Sequence, residues 1–157
     1  MQYPVTIQQV PAHPIAAIRD RATIPELSVK VPRHCGTAWN FIKQHALKSS
    51  GRMIAVYHFD VNKAPQASDF LMDIEVGAEV DAPFTGSEGV ECSQTPAGTV
   101  AKTIHVGNYN QLGQAHDAIR AFCKQNGKQI AGTCWELYGH WTDDESKRTT
   151  DVFHLLR

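Results

Sequence analysis

The stretch TPAGTVAKT, residues 95–103, nearly repeats VPAHPIAAI, residues 10–18. Each places Pro-Ala shortly before an apolar run typical of a β-strand. Each run is followed by a segment with helical spacing and then by two further strand-like runs. The order strand–helix–strand–strand therefore occurs twice in 157 residues. A repeat of about half the chain length predicts two similar half-domains.

Two segments have apolar residues at helical spacing. The first starts at Pro32 and stops at Gly51, which predicts a long helix at about 34–48. The second stops at Gly127 and predicts a helix at about 110–125. The segment GAEVDAPFTGSEG is rich in glycine, proline and acidic residues, as linkers between half-domains are. We therefore expect one domain over 1–157, with half-repeats of about 1–80 and 90–157 and a linker at about 77–89.

The fold class predicted from this order is α+β. Tandem strand–helix–strand–strand repeats, related by a pseudo-twofold axis, would form an antiparallel sheet with two long helices around a central ligand cleft.

The composition is typical of a globular protein, with 42% hydrophobic and 20% charged residues. The formal net charge is −1 and no basic run is present, which argues against a nucleic-acid partner. No apolar stretch is long enough for a membrane span, so no membrane association is expected. The N-terminus lacks a secretory pattern and the four cysteines form no CxxC pair, which favours a cytoplasmic protein with reduced thiols.

The stretch CWELYGHW, residues 134–141, places a carboxylate within an aromatic strand. Strand alternation puts Glu136, Tyr138 and His140 on one face, and puts Trp135 and Leu137 on the other. We expect the second face to pack under the helices. Glutamate is a poor strand former and is almost never buried without a partner. Either the first face is open to water or its carboxylate binds a ligand.

A family resemblance bears on this choice. TPAGTVAKTIHVGNY, followed by a helix and then WELY, resembles the gyrase-inhibitor-like (GyrI-like), or AraC- and MerR-type, effector-binding domain. In that family a Pro-Ala-Gly turn leads a strand into a His-x-Gly-Pro-Tyr turn, and a later strand contains Glu-x-Tyr. Asn108 stands where the family usually has proline, which puts the rigidity of the turn and the setting of Tyr109 in question. FLMDIEVGAEV also resembles the strand that closes the first half of the family fold.

The resemblance implies a transcription-regulator-like, multidrug-binding pocket for small organic molecules, in several members lipophilic cations. Glu136 would lie at its floor. In regulators the domain follows a DNA-binding segment. Here the strand-like VTIQQV begins almost at Met1, so a free-standing domain without that segment is expected. The expected partner is a small aromatic cation, and a protein partner remains possible.

The predicted ligand-binding residues are those of the Glu-x-Tyr strand and the aromatic side chains expected around it: Glu136, Tyr138, Trp39, Tyr57, Phe59, Tyr109 and His140. Burial among aromatics is expected to raise the pKa of Glu136. The scattered histidines have no metal-ligand spacing, so no metal and no cofactor are predicted. His105 is expected to tie its strand to the following helix by hydrogen bonds.

Two alternatives remain at this stage. One is a hydrolase in which Glu136 and Tyr138 are catalytic, with the carboxylate acting as general acid or base on a bound small molecule. The other is a protein-interaction module of the gyrase-inhibitor kind.

Overall fold

The computed structural model describes residues 3–67 and 69–157. Within these ranges the chain forms eight strands and two α-helices. In chain order they are β1 (Thr6–Val10), β2 (Pro14–Thr23), α1 (Leu27–Gln44), β3 (Met53–His58), β4 (Leu71–Glu79), β5 (Glu91–Gln94), β6 (Gly98–Val106), α2 (Leu112–Gln125), β7 (Ile130–Tyr138) and β8 (Thr149–Leu156). Neither helix combines the length and the apolar character needed to cross a bilayer.

The strands form one antiparallel sheet in the order β1-β6-β8-β7-β3-β4-β2-β5. The two halves meet at its centre, where β3 pairs with β7 and Ala55 lies opposite Glu136. The two edge strands are exchanged between the halves. β1, from the first half, pairs with β6 of the second half, and β5, from the second half, pairs with β2 of the first. This arrangement confirms the predicted α+β class and antiparallel sheet. It places β3 and β7 side by side beneath the gap between the helices.

Both helices lie on the same face of the sheet. Leu27, Val31 and Cys35 of α1 pack against a core cluster that includes Tyr57. Leu112, Ala115 and Ile119 of α2 form a second cluster with residues of β6 and β8. Tyr138 packs against both clusters, so the end of β7 lies between the helices.

Trp135 and Leu137 lie on the opposite face, so the prediction that they pack under the helices is wrong. The Trp135 ring stacks on Phe153 with ring centroids 5.1 Å apart, in a cluster with residues of β2, β3 and β6. Strand alternation separates two faces correctly, but it does not say which face the helices cover. The helices cover the face that contains Glu136.

Helix α1 begins at Leu27, well before the predicted start near residue 34, and ends at Gln44 rather than 48. The Glu26 carboxylate accepts hydrogen bonds from the Thr23 backbone N–H at 2.8 Å and from its hydroxyl at 3.0 Å, which secures the turn before the helix. Pro32 lies inside α1, where it removes one backbone hydrogen bond. The helix ends where Ala46 adopts a left-handed φ of 51°.

Helix α2 matches its predicted range of 110–125 to within two residues, because its first turn is a short 3₁₀ segment. The predicted linker at 77–89 starts too early. Residues 77–79 belong to β4, where a Cβ on Gly77 would collide with the carbonyl oxygen of Ala16. Glycine is needed there for the close approach of two strands.

The turn after β6 confirms the expected role of His105. Its Nε2 lies 2.9 Å from the Asn108 carbonyl oxygen, so the ring ties the strand to the start of the helical segment. Asn108 has a φ of −62°, the value that proline would impose, and its side chain accepts a hydrogen bond from the Asn110 N–H. The asparagine therefore reproduces the backbone shape of the family's proline and sets Tyr109 in the turn that follows.

Candidate functional site: a buried carboxylate between the helices

Glu136 lies near the C-terminal end of β7 and is only 6% exposed. Its Oε1 accepts hydrogen bonds from the hydroxyl groups of Tyr57, at 2.9 Å, and Tyr138, at 2.6 Å. Its Oε2 lies 2.7 Å from Nε2 of His116. Because a carboxylate only accepts hydrogen bonds, this imidazole nitrogen is the donor. Both oxygens are thus satisfied within the protein.

Three elements position these donors. Tyr138 follows Glu136 by two residues, so both side chains point to the helix-covered face. Tyr57 lies on the neighbouring β3, opposite Cys134. His116 comes from α2, on the apolar side of the helix that faces the sheet. One signal for His116 is present in the sequence, because this residue follows Leu112 by four positions and so lies on the same side of the helix. Sequence reasoning overlooked that signal.

The pKa of Glu136 is lowered, so the expectation of a raised pKa is wrong. Burial by itself raises it, but the hydrogen bond and charge of His116 and the two tyrosine hydroxyls outweigh that effect. Burial and the nearby Glu136 charge raise the pKa of both Tyr57 and Tyr138 well above its ordinary value. These tyrosines therefore stay protonated and donate to an ionised carboxylate.

A second histidine lies behind the first. Nδ1 of His116 is 2.8 Å from Nε2 of His154, which is fully buried on β8. Burial lowers the pKa of His154 well below its ordinary value, so this ring is neutral. Its Nδ1 has no hydrogen-bond partner among the described residues. An unpaired buried polar atom lowers the stability of the fold by about 1–3 kcal/mol. The unpaired Nδ1 of His154 is therefore an unfavourable feature of the core.

The structure brings two more predicted aromatics close to this group. The ring of Tyr109 meets that of Tyr138 edge-on, with centroids 5.4 Å apart. Phe59 packs beside the cluster that contains Tyr57, and its ring centroid is 6.3 Å from that of His154. Glu136, Tyr138, Tyr57, Tyr109 and Phe59 therefore form one neighbourhood.

Trp39 and His140 lie elsewhere. Trp39 packs against a different core cluster, which contains Phe41 and Val80. His140 is exposed and lies beside Gly51. The structure places neither one in the group around Glu136. His140 departs from the prediction because β7 ends at Tyr138, so the strand alternation does not reach it.

The floor between the helices is filled by the protein's own side chains. His116 is 9% exposed and Tyr57 is 5% exposed, so these side chains shield the Glu136 carboxylate from solvent, whereas Tyr138 is half-buried. A surface depression of about 190 Å³ lies against the C-terminal half of α1, and the residues around Glu136 are not part of its lining. A ligand that contacts Glu136 must therefore displace a side chain.

A second buried carboxylate, Glu75, lies on the opposite face of the sheet, and sequence reasoning did not single it out. It is 9% exposed and lies 2.7 Å from Nε2 of His58. It also accepts a hydrogen bond from the Ser93 hydroxyl. Nε of Arg19 is 3.7 Å from it. The hydrogen bond with His58 is the main reason why its pKa is lowered, against the opposing effect of burial.

Comparison with known proteins gives a family match over nearly the whole chain. The model of the GyrI-like small molecule binding domain matches residues 3–156. No sequence match was found among curated proteins.

Solved structures share the fold at low identity. The EcmrR C-terminal domain has a TM-score of 0.79 at 17% identity, covering 100% of this chain and 99% of that one. SAV2435 bound to tetraphenylphosphonium has a TM-score of 0.66 at 10% identity, covering 100% and 94%. A hydrolase encoded by lin2189 from Listeria innocua has a TM-score of 0.56 at 10% identity, covering 98% and 91%.

Proposed function

The chain belongs to the GyrI-like small molecule binding domain family, and we propose that it binds a lipophilic aromatic cation at the carboxylate of Glu136. The observation that supports this most is the set of partners around that carboxylate. They are two tyrosine hydroxyls and one imidazole. Among the described residues, no lysine or arginine forms an ion pair with Glu136.

A buried carboxylate without a permanent positive partner suits an organic cation. Desolvating a carboxylate is costly unless an opposite charge or hydrogen bonds compensate. An organic cation with its charge spread over aromatic groups is weakly hydrated, so its own transfer into the site costs little. The tyrosine rings near Glu136 would add cation–π attraction, about 0.5–2 kcal/mol for each ring that meets the charge face-on.

Binding requires the closed arrangement to open. His116 occupies Oε2 of Glu136, and it belongs to α2 rather than to the sheet. A shift of this side chain away from the carboxylate would free one oxygen, while Tyr57 and Tyr138 would still hold the other. The ligand charge would then replace the imidazole as the partner of Glu136.

The structural comparison supports the same ligand class. The solved structure of SAV2435, which shares this fold, contains tetraphenylphosphonium. That compound is a bulky aromatic cation, the chemical type that the Glu136 neighbourhood favours. The low sequence identity limits the comparison to the fold, so the chemistry of Glu136 itself remains the basis for the proposal.

A charge series of similar compounds tests the proposal. Tetraphenylphosphonium and tetraphenylborate have almost the same shape but opposite charges, and triphenylphosphine oxide is a neutral relative. Titrations followed by calorimetry, with Trp and Tyr fluorescence as a second signal, should show micromolar binding of the cation. The anion should bind at least tenfold more weakly. Equal affinities for the cation and the anion would reject an electrostatic role of Glu136.

The alternative is a hydrolase, and one observation favours it. The Glu136 carboxylate orients an imidazole at 2.7 Å, as in many general-base systems. However, the other nitrogen of His116 faces His154 rather than a substrate position. Loss of slow ligand breakdown in Glu136→Gln, with ligand affinity kept, would favour the hydrolase, since a catalytic carboxylate acts in the transition state.

A further inference from the structure

Three side chains that bind transition metals converge behind His116. His116, Cys134 and His154 each offer one ligand atom, and these atoms lie within 4.8 Å of one another. They come from α2, β7 and β8. Cys134 and His154 are direct cross-strand partners, so the sheet itself fixes their spacing. Sequence spacing could not reveal this group, because His116 and Cys134 are 18 residues apart and Cys134 and His154 are 20 residues apart.

We infer that His116, Cys134 and His154 form a binding site for a zinc-type transition-metal ion. This inference goes beyond the proposed cation binding and does not depend on it. Two imidazoles and a thiolate are the donor set that Zn²⁺ and its spectroscopic substitute Co²⁺ prefer. Three protein ligands leave one of four tetrahedral positions free.

The contact between the two imidazoles brings both nitrogen ligands close enough to bind one ion. Nδ1 of His116 and Nε2 of His154 face each other at 2.8 Å, with room for a single proton between them. In a tetrahedral site each nitrogen would lie about 2.0–2.1 Å from zinc. The rings would need to separate by only a fraction of an ångström. A bound ion would replace the shared proton, which passes to the free Nδ1 of His154 or to solvent.

The surroundings of His116 fit this role. Metal-binding histidines usually donate their other N–H to a carboxylate, and His116 donates its Nε2 proton to Glu136. Nδ1 of His154 is unpaired among the described residues, so no hydrogen bond locks its tautomer and Nε2 can present its lone pair.

Cys134 must lose its thiol proton before its sulfur can bind a metal ion. Burial raises the pKa of Cys134 well above its ordinary value, so the thiol is protonated in the absence of metal. The ion must displace that proton to solvent. The charge of Arg120 has the opposite effect on the thiol pKa. This arginine is paired with Asp117 at 3.2 Å.

Cobalt titration of the chelator-treated protein tests the inference. One equivalent of Co²⁺ should produce a thiolate-to-cobalt charge-transfer band and the visible bands of tetrahedral cobalt, and Zn²⁺ should remove both. Cys134→Ser should abolish the charge-transfer band and weaken Zn²⁺ binding at least tenfold. Cys123→Ser is the matched control, because it alters another buried cysteine and should leave the bands unchanged. Absence of the bands, or their persistence in Cys134→Ser, would overturn the inference.

A second measurement covers the case in which Cys134→Ser does not fold. Zn²⁺ should slow the alkylation of Cys134 in the wild-type protein, as mapped by mass spectrometry, but should not protect the half-buried Cys35. Equal alkylation of Cys134 with and without Zn²⁺ would overturn the inference. Tetraphenylphosphonium titration of the metal-free protein tests the cation site separately, so the failure of one proposal is distinguishable from the failure of the other.

Discussion

Glu75 and Glu136 are both buried carboxylates on central strands, yet their surroundings differ in one respect. Glu75 faces away from the helices and has the guanidinium of Arg19 nearby, whose side chain is 62% exposed. Glu136 faces the helices and has tyrosine hydroxyls and an imidazole as partners. Each carboxylate has an imidazole partner at 2.7 Å, His58 for Glu75 and His116 for Glu136, but among the described residues only Glu75 also has an arginine nearby, at 3.7 Å. We infer that a buried carboxylate is a stronger candidate for a cation site when no lysine or arginine accompanies it.

Removing one hydroxyl donor from each carboxylate should produce unequal losses. Tyr57→Phe deletes a hydrogen bond to a fully enclosed charge and should lower the free energy of unfolding by about 1.5–3 kcal/mol. Ser93→Ala removes the corresponding donor to Glu75 near the sheet edge and should cost about 0.5–1.5 kcal/mol. Urea denaturation of both variants measures the difference. A larger loss for Ser93→Ala would mean that the Glu136 network is the looser of the two.

The free energy of unfolding, measured as the pH is lowered, should show how much Glu75 contributes to stability. Its folded pKa lies below its ordinary value of 4.5, chiefly because of the hydrogen bond with His58. The stabilisation is therefore present above about pH 4.5 and is lost as the pH falls through the folded pKa. Glu75→Gln should lower stability at neutral pH and flatten the decline below pH 4.5. If stability declines below pH 4.5 in this variant as it does in the wild type, Glu75 is not the group that causes the decline.

The smallest effect is expected at Arg19. Its Nε contacts Glu91 at 2.9 Å and Glu75 at 3.7 Å, but the side chain is largely exposed. Arg19→Ala should cost about 0.2–1 kcal/mol, and added salt should reduce the difference. A loss of several kcal/mol that persists in high salt would show that the pair with Glu75 is shielded from solvent and contributes more than a surface ion pair.

The repeated element order was sufficient to predict the sheet class and α2, and it grouped Glu136 with Tyr138 and Tyr57. These features depend on local patterns: strand alternation placed Glu136 with Tyr138, and the repeated element order placed Tyr57 beside them. The start of α1 was missed because Pro32 resembles a helix start, although Thr23 and Glu26 have the spacing of a capping box.

Long-range packing explains what the sequence could not show. His116 reaches Glu136 only because α2 lies over the central strands, and His154 reaches His116 only because β8 pairs with β7. The direction of the Glu136 pKa depends on the same contacts. Burial alone predicts a rise, whereas two hydrogen-bond donors from distant elements, His116 and Tyr57, together with Tyr138 on the same strand, reverse it.

The most direct test compares Glu136→Gln with Glu75→Gln in calorimetric titrations with tetraphenylphosphonium. Both substitutions remove one buried negative charge and preserve the side-chain shape. We predict that Glu136→Gln weakens binding by about 1.5–3 kcal/mol, roughly 10- to 150-fold, since a charge-assisted contact is lost. Glu75→Gln should leave the affinity within about twofold of the wild type. Equal losses in the two variants, or unchanged binding in Glu136→Gln, would contradict the account.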